Sequence, residues 1–250
     1  MKTLDQIEAR TPISSLPIII STSGSYFFTG NLTFTAATGD AIDIGASDVT
    51  LDLNGFTLRS ATAVTGAAIS ISGGLANITV KNGNIMSTTN VAIAGTPPSR
   101  TWTPTPGGFV RGIDDNSVGA HFMDLSIRGC RGQGIFSNSP GQAIIERVSC
   151  VSNGAFGIFA ESGCLIGCTV RGNAVGGIIA PNGVLPTASP STMAGTTSQR
   201  WVETSRIALL QAMPMMAWSK SNFRLSIHAR RCSPSPPLRL TRSRTAAVTI

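Results

Sequence analysis

Apolar positions in this chain recur at an interval too long for helix turns and too regular for a random loop. A small residue followed by Ile occurs seven times, at Ala41-Ile42, Ala68-Ile69, Ala92-Ile93, Gly112-Ile113, Gly134-Ile135, Gly157-Ile158 and Gly177-Ile178. The isoleucines stand 27, 24, 20, 22, 23 and 20 residues apart, about 23 on average. Turn-forming residues follow each pair, among them Gly73-Gly74, Asn116-Ser117 and Ser162-Gly163. A second strand with period-two alternation is predicted next, over residues 49–53, 78–80, 122–127, 144–150 and 165–170. Asn54-Gly55, Asn82-Gly83, Asn153-Gly154 and Gly172-Asn173 read as the turns that close it.

Strand, turn, strand and turn within this period is too short for a four-stranded propeller blade. It also lacks the amphipathic helical stretch of a βα or ankyrin unit. What remains is an all-β solenoid, in which each coil stacks on the last at the inter-strand spacing of about 4.8 Å. Counting back from each Gly-Ile pair places Leu125, Val148 and Cys168 in one register and Ile127, Cys150 and Val170 in another. The cysteines therefore read as free thiols in an aliphatic interior, where Cys behaves as a small hydrophobe. Five cysteines without a CxxC pair supply no zinc-site spacing. Residues 1–40 are expected to be a cap and first strands, with Leu4, Ile7 and Ile13 closing the open end of the core. Residues 41–183 are expected to form about six to seven coils, and 184–250 an irregular basic tail.

These features resemble the right-handed parallel β-helices of the pectate-lyase-like superfamily. The N-terminal region is similar to bacterial exported β-helix proteins. It reads Met1-Lys-Thr-Leu-Asp-Gln-Ile-Glu8, Arg10-Thr-Pro-Ile-Ser-Ser15 and Gly24-Ser-Tyr-Phe-Phe-Thr-Gly-Asn31, completed by Val49-Thr-Leu-Asp-Leu-Asn-Gly-Phe56. The resemblance covers residues 1 to about 183. It implies a single-stranded right-handed parallel β-helix in an extracellular or cell-envelope setting. In such relatives the segment matching Met1 lies behind an export signal, so an internal methionine is expected here. Met1 to Gln6 has no basic segment followed by an apolar run, so no signal peptide is visible.

Charge changes the picture only when it is divided along the chain. Of 19 Lys and Arg and 12 Asp and Glu, residues 1–185 hold 10 and 11, a net of −1. Residues 186–250 hold nine bases and one acid, Glu203, a net of +8. The body is neutral, so the basic total does not argue for a nucleic-acid partner. Of 27 glycines only Gly195 lies beyond residue 185, which marks the tail as a shifted reading frame or truncated gene rather than further coils. A basic arm for an anionic partner is the competing reading. No stretch reaches the ~18 consecutive apolar residues of a membrane helix, so no integral membrane segment is expected.

Candidate chemistry is sparse. Asp114-Asp115, with His121 six residues on, is the one carboxylate pair near a histidine. The resemblance implies two enzyme readings for it, a glycoside hydrolase with an acid and a base, or a lyase whose aspartates hold Ca²⁺. A solvated strand-end pair competes with both. Apart from that Ca²⁺, no cofactor and no metal site are expected. The outward column after each Ile is predicted to read Asp43, Ser70, Ala94, Asp114, Phe136, Phe159 and Ile179. Phe136 and Phe159 should turn outward and stack, either as a sugar-binding platform or beneath a covering loop or chain terminus. Trp102, in a Pro-rich excursion, and Asp43 are further candidate contacts. Arg128, Arg147 and Arg171 are expected to form an outward stripe on successive coils. The expected function is a non-catalytic module that binds polysaccharide or serves as a surface scaffold. The alternatives are a lyase or hydrolase of acidic, pectin-like glycans, and a tailspike-like adhesin acting as a homotrimer; the sequence does not otherwise fix an oligomeric state.

Overall fold

The computed structural model describes residues 10–96 and 101–183. Leu4, Ile7, Cys232 and the tail from 184 lie outside the described residues. Every regular element among those described is a β-strand. Two parallel sheets carry nearly all of them, one of seven strands and one of eleven, beside a two-stranded antiparallel hairpin.

The seven-stranded sheet is built on the repeat. Its strands Ile18–Ile20, Ile42–Ile44, Ile69–Ile71, Ile113–Asp115, Ile135–Ser137, Phe156–Ala160 and Gly176–Ile179 are neighbours in that order. Their registers align Ile18, Ile42, Ile69, Ile113, Ile135, Ile158 and Ile178 in one column. From Ile42 to Ile158 these side chains are fully buried, while Ile178, on the last described strand, is partly buried against the same core. Each buried isoleucine removes enough apolar surface from water to favour folding by roughly 1.5–3 kcal/mol.

The small residue before each Ile has a steric cause. A β-carbon on Gly112 would stand 2.5 Å from both the Gly134 carbonyl oxygen and the Ile127 side chain. One on Gly134 would meet the Gly157 carbonyl oxygen at 2.7 Å and Cys150 Sγ at 2.9 Å. Here the chain turns so tightly that successive rungs press backbone against side chain. Ala41 and Ala68 show that the first rungs tolerate one methyl, both being fully buried.

Three expectations are corrected. Ala92-Ile93 is not a rung: Asn90–Ala94 pairs antiparallel with Thr101–Thr105, and Ile93 is 53% exposed. The hairpin is an excursion between the rungs of Ile69 and Ile113, which are direct neighbours. Ser87 and Thr89 close its neck, with Ser87 Oγ accepting from Phe109 N at 2.7 Å and Thr89 Oγ1 donating to the Gly107 carbonyl at 2.7 Å. Phe109 then re-enters the core and stacks on Phe34, with centroids 5.9 Å apart.

Secondly, the single second strand expected in each repeat is two arms meeting at a corner. Strands Val49–Asp52 and Thr57–Ser60, Ala143–Glu146 and Ser149–Val151, and Gly163–Ile166 and Thr169–Arg171 are separate, whereas Ala76–Met86 and Gly119–Arg128 run through both arms. At the corner stands a left-handed residue, Asn54, Asn82, Asp124, Arg147 or Gly167, with φ of 51, 57, 54, 51 and 61°. Asn54-Gly55 and Asn82-Gly83 mark this corner, not the strand end, because Asn and Gly tolerate positive φ. Asn153 and Asn173 do close the second arm. Asn153 Oδ1 accepts from Cys130 N at 2.9 Å, and Asn173 Oδ1 accepts from Asn153 N at 2.9 Å.

Thirdly, the cysteines are not all thiols. Cys130 and Cys150 are free and buried, and Cys168 is free and half-buried, but Cys164 is in a disulfide. The expected register of Ile127, Cys150 and Val170 is present, and burial pushes the Cys130 thiol up to about 12.

The column predicts its own mutational pattern. Ile113→Ala should destabilise the protein by about 2–5 kcal/mol through the cavity it leaves. Ile19→Ala, at a position 70% exposed in the same sheet, should cost less than ~0.5 kcal/mol. Urea unfolding of both variants measures the contrast, and similar losses would contradict the inward assignment.

Candidate functional site

Alternation in the seven-stranded sheet turns the residue after each column isoleucine outward. The registers give that outward column as Ile19, Asp43, Ser70, Asp114, Phe136, Phe159 and Ile179. Ala94, expected between Ser70 and Asp114, belongs to the hairpin instead. Asp43 and Asp114 therefore share a face with only Ser70 between them.

Phe136 and Phe159 stack as expected, with centroids 5.0 Å apart and planes 15° from parallel. The Arg111 guanidinium lies over the Phe136 ring at 3.9 Å from its centroid, a favourable cation–π geometry. Both faces of Phe136 are thus covered, and its edge is what meets solvent. Arg111 Nη1 also donates to Asp114 Oδ2 at 2.5 Å. Asp114 Oδ1 and Arg111 Nε are buried without a hydrogen-bond partner.

Asp115 points the other way, because successive side chains of a strand face opposite sides. It is fully buried. Its Oδ1 accepts from Ser117 N at 3.0 Å and Ser117 Oγ at 2.6 Å, and Oδ2 accepts from Ser137 Oγ at 2.6 Å. This carboxylate fastens a turn to the next rung. His121 is in the other sheet, opposite Thr79 and Ile144, with Nε2 3.4 Å from Glu146 Oε2. The adjacent acids and the histidine thus occupy three different places: an outer face, the interior, and the outer face of the eleven-stranded sheet.

Asp43 lines a shallow pocket of about 290 Å³ with Pro17, Ile18, Ile19 and Asp40. Burial, and then the charge of Asp40, pushes its carboxyl above the usual value of 3.8. Asp40 Oδ1 accepts from Ala67 N at 2.6 Å. Trp102 is half-buried on the hairpin, and a β-carbon on Gly172 would stand 3.9 Å from its Cζ3. The hairpin thus lies near the turn that follows Arg171.

Several charged groups escaped the sequence reading. Arg111 could have been found from its spacing, three residues before Asp114. Arg147 is not in the stripe of Arg128 and Arg171. It occupies a corner, where Nε and Nη2 donate to the two Asp124 oxygens at 2.6 and 2.8 Å and Nη1 contacts Glu146. That hydrogen bonding holds the Asp124 carboxyl below 3.8. Asp52 is held by Arg10 at 2.9 Å and Lys81 at 3.9 Å. Among the described residues no three His, Cys, Asp or Glu come together as a metal site.

Compared with known proteins, the chain matches no family model, no curated sequence and no solved structure.

Asp43 and Asp124 should move stability in opposite directions with pH. The raised Asp43 carboxyl favours folding below its unfolded value, and that contribution is lost as pH rises through the folded one. Asp43→Asn should therefore raise Tm at pH 7, with the gain vanishing towards pH 3. The lowered Asp124 carboxyl stabilises above its unfolded value and ceases to as pH falls through the folded one. Asp124→Asn should lower Tm at pH 7 and converge on wild type in acid. Thermal melts across pH 3–7 check both signs.

Proposed function

We propose that this chain is a right-handed parallel β-helix of about six to seven coils, similar to the pectate-lyase-like superfamily. In this reading it is a non-catalytic module that binds polysaccharide in an extracellular or cell-envelope setting. Right-handedness follows the strong preference of parallel crossovers. The observation that carries the functional reading is what the acids near the candidate site are doing. Asp115 is sealed inside by two serines, and Asp114 is neutralised by an arginine that is itself laid on Phe136. A general acid and base must both reach one glycosidic oxygen and its attacking water, and these two carboxylates face opposite sides of their strand. Straight outward columns at a spacing of about 4.8 Å suit a ligand that is itself extended and repetitive.

Affinity electrophoresis through gels holding neutral or acidic polysaccharides tests this reading. At least one polysaccharide should retard the protein while releasing no new reducing ends and no unsaturated product. Release of product that Asp114→Asn abolishes without unfolding the chain would establish the enzyme reading instead. Unretarded migration through every gel would remove the binding reading.

A further inference from the structure

The second arm of the eleven-stranded sheet carries an outer face that neither the fold nor the acid network uses. Its registers place Thr33, Arg59, Met86, Arg128, Val151 and Arg171 in one outward column. Arginine thus recurs on every second rung, and all three are exposed. Two rungs are about 9.6 Å, twice the inter-strand spacing. Beside them runs a parallel outward column of Thr57, Asn84, Ser126, Ser149 and Thr169. Neither column contains a carboxylate. Among the described residues, every ion pair is made by Arg10, Lys81, Arg111, His121 or Arg147 on the basic side, so these three guanidiniums carry uncompensated charge. Trp102 borders the Arg171 end, beside Gly172.

We propose that this face binds an extended acidic heteropolysaccharide with one carboxylate on every second sugar, each seated on one of Arg59, Arg128 and Arg171. The proposal rests on the reading of the chain as a polysaccharide-binding module and names the face and the ligand chemistry. Three facts favour it. Guanidinium pairs with carboxylate through two parallel hydrogen bonds. The interval between arginines is close to the length of a disaccharide in an extended chain. The adjoining hydroxyl and amide column offers donors and acceptors to the sugar hydroxyls between charges. A nucleic-acid duplex fits less well, because the phosphates of each of its strands follow at about 3.4 Å along the axis, much closer than the arginines. A lone tryptophan also supplies no succession of stacking platforms.

The test is affinity electrophoresis of the full chain through gels holding hyaluronan (one uronate per disaccharide), neutral dextran or oligothymidylate. Hyaluronan should retard the protein and dextran should not. The triple variant Arg59→Gln, Arg128→Gln, Arg171→Gln should bind hyaluronan roughly tenfold to a hundredfold more weakly, the worth of three exposed ion pairs. The matching triple Lys variant, which keeps the three charges but not the paired hydrogen bonds, should bind with an affinity between those of the wild type and the Gln variant. Unchanged Tm in both variants excludes unfolding as the cause. Because the nine basic residues beyond 185 are untouched, unchanged hyaluronan binding by the Gln variant would assign retention to them and overturn the proposal. Retention by dextran alone would overturn it while leaving the module reading in place, and retention by no glycan would overturn both. Equal retention by oligothymidylate would overturn the glycan assignment in favour of a general polyanion surface.

Discussion

Rung-on-rung hydrogen bonding between parallel strands is the constraint from which the other features of this molecule follow. Each strand satisfies its backbone with the strands before and after it, so a residue's neighbour is its counterpart roughly one repeat away in sequence. Whatever occupies a register position must therefore pack against its own equivalents. Isoleucine suits that requirement inside, since a branched, apolar side chain stacks on its copy without leaving a void. The same constraint makes the position before it small, because a β-carbon on Gly112, Gly134 or Gly157 would stand within 3 Å of backbone or side-chain atoms of the following rung.

Polar groups obey the same logic. At the turns they align in short ladders, as Asn153 on Asn173, so that each buried amide is answered from the next rung. At the corners the stacking brings Asp124 and Arg147 together, and their paired hydrogen bonds help hold Arg147 at a positive φ that a long side chain seldom adopts. Much of the acid in the described region serves the architecture in this way: Asp115 ties a turn, Asp40 receives Ala67 N, and Asp52 sits between Arg10 and Lys81. Among the described residues, uncompensated charge is left on the face where arginines alternate with Met86 and Val151.

The hairpin shows what happens when the repeat is interrupted. The rungs of Ile69 and Ile113 bond directly although a whole excursion separates them in sequence. Loop closure of that length costs little more than a short loop, and the inserted strands pair with each other instead of entering a sheet. Pinning the neck through Ser87 and Thr89 returns Phe109 to the core and sends Trp102 along the outside toward Gly172.

The isoleucine column, the all-β class and the outward stacking of Phe136 and Phe159 were legible in the sequence, because a repeated register writes itself as a repeated spacing. The corner between arms was hidden inside what read as one alternating strand, since a single left-handed residue leaves the inside-outside pattern on either side nearly intact. Ala92-Ile93 imitated a rung because spacing alone does not distinguish a strand that joins a sheet from one that pairs within an excursion. The candidate site depended on distances that sequence spacing does not encode. Asp114 and Asp115 are adjacent in the chain yet face opposite sides of a strand, His121 six residues on is in another sheet, and Arg111 reaches both Asp114 and Phe136. Sequence determined which residues repeat. The tertiary structure decided which faces they share, because parallel pairing joins residues a full repeat apart while alternation separates immediate neighbours.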